Sequence, residues 1–345
     1  MDKENLKIAV VGGGNVGRVL STLLMCQGYD VELVCRSNHQ AIKIDNSYAF
    51  QINGDFGTKS YLVPFVKSID ELSSKKDIIF FATKCFDMLE RVGSCLHKLT
   101  PKGTIVTIQN VYSINKLMRL IPPECSVCMV CDFACTKQQK EVYVTNSNGA
   151  TLGVYNKKAV PRMNLVSKVL GEIMKVHITN DIVGFTMGRN IINGAISLLG
   201  GISGLRVTEI LESKVGRKIF FEIIKECVNV CNKWRIKIVP YNFQLDYYKL
   251  VEKGFAGYNY RRKIARVLQT QNGHIKSSAL DDLEKGERTE LRCMLDSVIT
   301  LGKKAGVKIP CIEELDEILS DIETGKQTIN PRIFCDNDLC ELMED

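Results

Sequence analysis

The stretch that most constrains this chain is Gly12-Gly13-Gly14-Asn15-Val16-Gly17. Before it lies Leu6 to Val11 (LKIAVV), a short β-branched apolar run, and from Asn15 to Gln27 the residues Val16, Val19, Leu20, Leu23 and Leu24 recur at helical spacing. The order is strand, turn, helix, and the turn matches G-x-G-x-x-G. In such a turn Gly12 permits the tight reversal, Gly14 lets backbone approach a pyrophosphate, and Gly17 lets the helix pack close to the strand. The helix N-terminus offers free N–H groups and the positive end of its dipole. A glycine-rich structural turn is the competing reading. Position at the first β-to-α turn of an alternating chain favours a dinucleotide, with Gly12, Gly13, Gly14, Asn15, Val16 and Gly17 as cofactor-binding residues.

The alternation continues. Tyr29 to Cys35 reads as a strand, as do Asp77 to Thr83, Gly103 to Gln109 and Ser126 to Cys131, with helices from about Phe86 to Leu99 and Ser113 to Leu120 between them. Extra strands are expected at Val142 to Asn146 and Thr151 to Val154, then a helix from about Pro161 to Met174. Beyond residues 178 to 182 nearly everything has helical spacing. The expected fold class is α/β, an N-terminal Rossmann-type doubly wound parallel sheet followed by an all-helical C-terminal domain. At roughly 150 residues per domain, 345 residues suit two such domains. The expected boundaries are 1–180 for the nucleotide domain, 181–330 for the helical substrate domain and 331–345 for an acidic tail.

Composition excludes other classes. Apolar residues make up 45% and charged residues 25%, which argues against disorder and fibrous repeats. The net charge of +7 is spread along the chain rather than gathered into a basic, aromatic-rich patch, so no nucleic-acid partner is expected. No basic segment leading into an apolar run opens the chain, and no apolar run reaches roughly 18 residues, so neither an export signal nor a membrane span is expected. The 14 cysteines are then read as thiols in a reducing cytoplasm.

The second strand ends at Arg36, where an NAD enzyme usually carries an acid for the ribose 2′-hydroxyl. A guanidinium there can pair with a 2′-phosphate, which points to NADP. Lys84 and Asn110 stand just past later strand ends, at the carboxyl edge where ligands of such sheets bind.

Together GGGNVG, Arg36, Lys84 in ATKCFD, Asn110 in IQN, and SSALDDLEKGERTEL at Ser277 to Leu291 resemble the ketopantoate reductases (2-dehydropantoate 2-reductases), over residues 6 to about 320. The resemblance implies NADPH-dependent reduction of a 2-oxo acid, ketopantoate, to a 2-hydroxy acid, a step toward pantothenate and coenzyme A. It implies that the glycine loop, Arg36, Lys84, Asn110 and Ala134 contact cofactor, and that Asn110 also reaches substrate. Ser278 and Glu290 match the family's S-S-x-L-x-D…T-E motif, the serine on substrate and the glutamate aligning cofactor or substrate. The partner implied is a small 2-oxo acid, no metal is expected, and a homodimer is left open.

In the first helix of the second domain the family carries K-x-x-x-N-x-x-x-N, with the lysine as general acid. Here the corresponding residues are Arg189, Asn193 and Ser197, on one helical face. Asn193 and Ser197 are read as substrate-binding and Arg189 as the catalytic position. An arginine holds its proton, with a pKa above roughly 12, so it would polarise the carbonyl while water supplies the proton, or bind a carboxylate as a fork. Two alternatives follow: a reductase of a different 2-oxo acid, or a non-catalytic NADP-binding or regulatory homologue. A register placing Asn190 in the site matches the other motifs less well.

Cys125, Cys128, Cys131 and Cys135 have an iron–sulfur-like spacing. The first three read as part of a core strand, whose side chains alternate between faces and cannot converge on one cluster, so buried free thiols are the expectation. His39, His97, His177 and His274 show no metal-ligand spacing.

Overall fold

The computed structural model describes residues 5–36, 42–108, 114–240, 245–272 and 277–335. Two compact units divide between Ile182 and Val183. The first contains, in order, β1 (Lys7–Val11), α1 (Asn15–Cys26), β2 (Asp30–Val34), β3 (Ile42–Ile44), β4 (Ser47–Gly54), β5 (Lys59–Val66), β6 (Lys76–Phe81), α2 (Cys85–Arg91), β7 (Leu99–Thr107), α3 (Ile114–Leu120), β8 (Ser126–Cys131), β9 (Ala134–Gln138), β10 (Glu141–Asn146), β11 (Ala150–Gly153), α4 (Val160–Gly171) and β12 (Val176–Ile178).

The sheet runs β12-β11-β8-β7-β6-β1-β2-β5-β4-β10-β9, with β3 beside β4. Its centre, from β8 through β7, β6, β1 and β2 to β5, is parallel. Strand β1 is buried on both faces and is correspondingly apolar at every position after Lys7. On one side β5 turns back antiparallel to β4, and β9 and β10 extend this arm; on the other, β11 is antiparallel to β8. The sheet is therefore mixed around its parallel core. The arm is one-sided: along β4, Tyr48, Phe50 and Ile52 are buried while Ala49 and Gln51 are half-buried.

Two buried cations tie the layers. Lys76 of β6 is fully buried and pairs with Glu32 of β2, across the strand β1 between them. Burial pushes the Glu32 carboxyl up, but the Lys76 ammonium and the Ser73 hydroxyl overcome this and hold it below its ordinary value. Arg18 of α1 is buried, donates to the Lys140 carbonyl and lies 5.0 Å over the Phe50 ring, fixing α1 to the arm.

The helix expected from Phe86 to Leu99 is shorter. It ends at Arg91, a 3₁₀ segment covers Val92–Lys98, and Leu99 already begins β7. Cys125 lies in a 3₁₀ turn rather than on β8, and Cys135 lies on β9.

The second unit contains α5 (Ile182–Ser203), α6 (Val207–Glu212), α7 (Lys214–Lys233), α8 (Tyr247–Val251), α9 (Gly254–Asn272), α10 (Ser278–Glu284), α11 (Leu291–Ala305) and α12 (Pro310–Glu323). Helix α5 is long and apolar enough to cross a membrane, yet most of it is buried inside the protein, as a core helix is. The tail expected from residue 331 begins later: Pro331–Cys335 forms a 3₁₀ turn with Ile333 and Phe334 buried, because that apolar pair packs near α7. Residues 336–345 lie outside the described residues.

Helix α12 begins without a cap of its own. The Glu226 carboxylate of α7 accepts from the N–H groups of Cys311 and Ile312, at 2.9 and 2.8 Å, and caps it from outside. Burial pushes the Glu226 carboxyl up to about 7 despite those donors. Between pH 4.5 and 7 the folded protein then holds a proton that the unfolded chain has released, so Glu226's contribution to stability falls as pH rises through that window. In urea unfolding followed from pH 5 to 7.5, Glu226→Gln should lack this decline. Glu226→Ala should destabilise the helical unit by about 1–2 kcal/mol, the worth of a helix cap.

Candidate functional site

The glycine turn sits at the carboxyl tips of the central strands. Gly12 N–H donates to the Val34 carbonyl at 2.9 Å, and Ala82 N–H to the Val11 carbonyl at 2.8 Å. Gly12 has φ +115°, and a Cβ there would lie 2.7 Å from the Ala82 carbonyl oxygen. A Cβ on Gly17 would lie 1.9 Å from the Gly12 carbonyl oxygen, so α1 presses its backbone onto the turn. Gly14 differs from both. It is exposed, has an ordinary φ of −71°, and nothing lies within 4 Å of where its Cβ would be. Gly13 and the first-turn residues Asn15 and Val16 are half-buried beside it, and that turn carries neither a side-chain cap nor an acid. These residues fit a dinucleotide: a cradle that a side chain would fill, facing a helix N-terminus without negative charge.

Arg36 is exposed just past β2, and no described residue pairs with it. Of the two acids on β2, Asp30 opens the strand at the end away from Arg36, and Glu32 is engaged by Lys76 and Ser73. Lys84 is the half-buried N-cap residue of α2, past the tip of β6. Ala134 is exposed at the start of β9. Asn110, like His39 and His274, lies outside the described residues.

In the second unit α5 carries the polar triad. From Arg189 to Ser203 every residue is buried except Arg189, Asn193, Ile196 and Ser197. Steps of four along a helix keep these on one face, so from Arg189 onward the triad occupies the half-buried strip of a core helix, while Val183, Phe185 and Met187 are half-buried in the turns before it. Asn190 is 1% exposed, turned into the core instead. The strip is fixed by close packing on both sides. A Cβ on Gly188 would meet the Val239 carbonyl oxygen at 2.1 Å, and one on Gly194 the Met294 sulfur of α11 at 2.0 Å. Glu290 is exposed at the N-cap of α11, one turn before Met294. Ser277 caps α10, accepting from Ala279 N–H at 3.2 Å, while its hydroxyl donates to the Ser197 carbonyl at 3.0 Å. Ser278, the next residue, is the first of α10.

Two residues that brace this arrangement were not expected. Ser277 had one sequence signal, a serine directly before a helix. Tyr247 had none; buried on α8, it donates its hydroxyl to the Gly188 carbonyl, next to Arg189.

Cys128 and Cys131, three apart on β8, point to opposite faces. Burial pushes the Cys128 thiol up to about 11, and Cys135 likewise. Among the described residues no group of three or more His, Cys, Asp or Glu side chains is arranged to hold a metal.

Comparison with known proteins identifies the class. Residues 8–157 match the family described as ketopantoate reductase PanE/ApbA, and residues 181–323 its C-terminal domain. The chain belongs to the ketopantoate reductase family, a family of oxidoreductases. It is 21% identical over 328 residues to the 2-dehydropantoate 2-reductase of Pyrococcus abyssi, covering 94% of this chain and 99% of that one. Its fold is similar to that of D-mandelate dehydrogenase with NADH and anilino(oxo)acetate (TM-score 0.76, 18% identity, 93% and 99% of the two chains covered). It is also similar to that of a dimeric ketopantoate reductase from Staphylococcus aureus (TM-score 0.68, 13% identity, 93% and 100% covered).

The three glycines separate folding from binding. Gly14→Val should leave stability within about 0.5 kcal/mol, since its side chain meets nothing, yet abolish nucleotide binding measured by calorimetry. Gly17→Ala should destabilise the nucleotide unit by about 1–3 kcal/mol, because backbone must move to admit the methyl group.

Proposed function

We propose that this protein reduces a 2-oxo acid to a 2-hydroxy acid with NADPH, and that the substrate is 2-dehydropantoate, which places it in pantothenate biosynthesis. The observation that carries this is the open strip of α5. A mostly buried helix has little solvation reason to line up an arginine, an amide and a hydroxyl on one half-buried strip, whereas a small acid with a polar 2-oxo group needs such donors. Family membership supports the reaction class, and the open cradle at Gly14 supports the nucleotide.

NADPH bound at the glycine turn supplies the hydride that becomes the new C–H bond at C2 of the product. The developing charge on the ketone oxygen is met by the Arg189 guanidinium, which polarises and stabilises it without releasing a proton; water provides the proton. Asn193 and Ser197 orient the acid by hydrogen bonds, Ser278 adds a hydroxyl, and Glu290 aligns cofactor or substrate. On the nucleotide unit Lys84 and Ala134 contact the cofactor, Asn110 contacts cofactor and substrate, and Arg36 pairs with the 2′-phosphate. We place the protein in the cytoplasm, in keeping with the free thiols of its described cysteines. The dimeric relative supports a homodimer as its assembly.

A second reading has its own observation. Arg189 stands where the family's lysine stands, and its planar fork suits a carboxylate. In that case the preferred 2-oxo acid differs from ketopantoate, with aryl 2-oxo acids as candidates.

The test is NADPH oxidation, followed by absorbance, with ketopantoate and a panel of aliphatic and aryl 2-oxo acids. Turnover highest with ketopantoate supports the first reading, and turnover highest with another acid the second. No oxidation with any of them overturns both and leaves a non-catalytic nucleotide-binding homologue. Asn193→Ala and Ser197→Ala should raise KM or lower kcat while leaving NADPH affinity nearly unchanged. Arg36→Ala should reduce the preference for NADPH over NADH by roughly ten- to a hundredfold, the value of one charge-assisted contact of about 1.5–3 kcal/mol.

A further inference from the structure

Helix α9 presents a surface for which the reductase reading has no use. Its inner face is committed to packing. Ile264, Ala265 and Leu268 are buried, Gly257 lies against the Glu252 carbonyl, Tyr260 accepts from Asp246 N–H at 2.8 Å, and Arg261 donates to the carbonyls of Leu250 and Glu252 at 2.8 and 2.9 Å. The outer face carries Phe255, Tyr258, Asn259, Arg262, Lys263 and Arg266, all exposed. Asn259, Arg262, Lys263 and Arg266, with Val267, line an open cavity of about 330 Å³.

The electrostatics of that face are one-sided. The helix contains no Asp or Glu, and none of Arg262, Lys263 and Arg266 forms an ion pair among the described residues. Arg262 and Arg266 stand four apart and Lys263 and Arg266 three apart, so like charges face one another and destabilise the helix slightly. A surface laid out only for solubility intersperses both signs. Next to the cations, Phe255 is 82% exposed and Tyr258 52%, and the Arg262 guanidinium lies 5.8 Å from the Tyr258 ring centroid. One turn of helix separates Arg262 from Arg266, a rise of about 6 Å, which lets both reach one diphosphate. The depression is shallow, lined by α9 alone, so a ligand there would be held by charge and stacking rather than by enclosure.

We infer that the outer face of α9 binds a small diphosphate bearing an aromatic ring, the class of the nucleoside diphosphates. Arg262, Lys263 and Arg266 hold the phosphates, Asn259 hydrogen-bonds beside them, and the exposed ring of Tyr258 stacks on the base. This site is distinct from the glycine turn and does not depend on the reductase reading.

The experiment is calorimetric titration of the full chain with ADP, inorganic pyrophosphate and adenosine at low salt. ADP should bind more tightly than pyrophosphate, and adenosine not measurably. Arg262→Ala with Arg266→Ala should weaken ADP at least tenfold with melting temperature unchanged, since both side chains are exposed. Tyr258→Ala should bring ADP down to the pyrophosphate level. Gly14→Val, which blocks the glycine turn, should leave this binding intact, and added salt should weaken it. ADP binding that Gly14→Val abolishes and the arginine variants do not would assign it to the cofactor turn and overturn the inference. So would absence of ADP binding, or arginine-dependent capture by phosphatidylserine vesicles without any affinity for pyrophosphate, which would make the face a membrane contact.

Discussion

The nucleotide unit depends on one contact made without side chains, the seat of α1 on the turn that precedes it. With Gly17 pressed against the Gly12 carbonyl, the axis of α1 is set by backbone meeting backbone, which cannot deform as a flexible side chain would. The next residue secures the other side. Arg18, almost fully buried, reaches across to the Lys140 carbonyl and the ring of Phe50, so the arm of the sheet holds the helix that the glycine admits. The N-terminus of α1 is consequently aimed past the tips of β1, β2 and β6. Its first turn begins at Gly14, where nothing lies within 4 Å of a Cβ position.

The helical unit solves a related problem with the same means. Because Gly188 and Gly194 let Val239 and Met294 approach closely, α5 is enclosed along most of its length, and its exposed area shrinks to a strip. Enclosure makes the polar residues on that strip informative. A polar side chain on a surface helix satisfies solvent and says little; on the half-buried strip of an otherwise apolar helix it stands out, which is why the proposed function rests on it. The carbonyls of Gly188 and Ser197, bonded by Tyr247 and Ser277, brace the same helix at either end of the triad.

What could be read from the sequence were features in which local pattern and tertiary role coincide. Leu6 to Val11 and the helix after it were legible because the central strand of a parallel sheet is apolar throughout and the helix beside it is apolar on one face. The arm β3 to β5 was not. In β4 the alternation of Tyr48, Phe50 and Ile52 is genuine, but β5 exposes Tyr61 and Leu62, so its periodicity does not reveal which face is buried. The strip of α5 was legible from the four-residue spacing of Arg189, Asn193 and Ser197, which are half-buried there while Asn190 is buried. Ser277 and Tyr247 act on backbone carbonyls distant in sequence, a relation with no local signature. The segment at 331–335 borders an acidic tail in sequence, yet Ile333 and Phe334 have the apolarity to pack, and do.

The residues at the end of β2 bear on cofactor choice through distance and screening. Two acids lie on that strand, Asp30 at its start and Glu32 nearer its end, and the nearer one would favour the ribose hydroxyls of NADH if it were free and near. Glu32 is neither. It forms an internal pair with Lys76, whose charge cancels most of its field, and four residues of strand, roughly 13 Å, separate it from Arg36. That exceeds the screening length of roughly 8 Å at physiological salt. At the strand end the one nearby fixed charge among the described residues of β2 and its extension is therefore the Arg36 guanidinium. A guanidinium is the group that a phosphate ester on a ribose would pair with. The strand thus keeps an acid inward, where it helps hold the sheet, and leaves the arginine at the rim, the arrangement that the proposed use of NADPH needs.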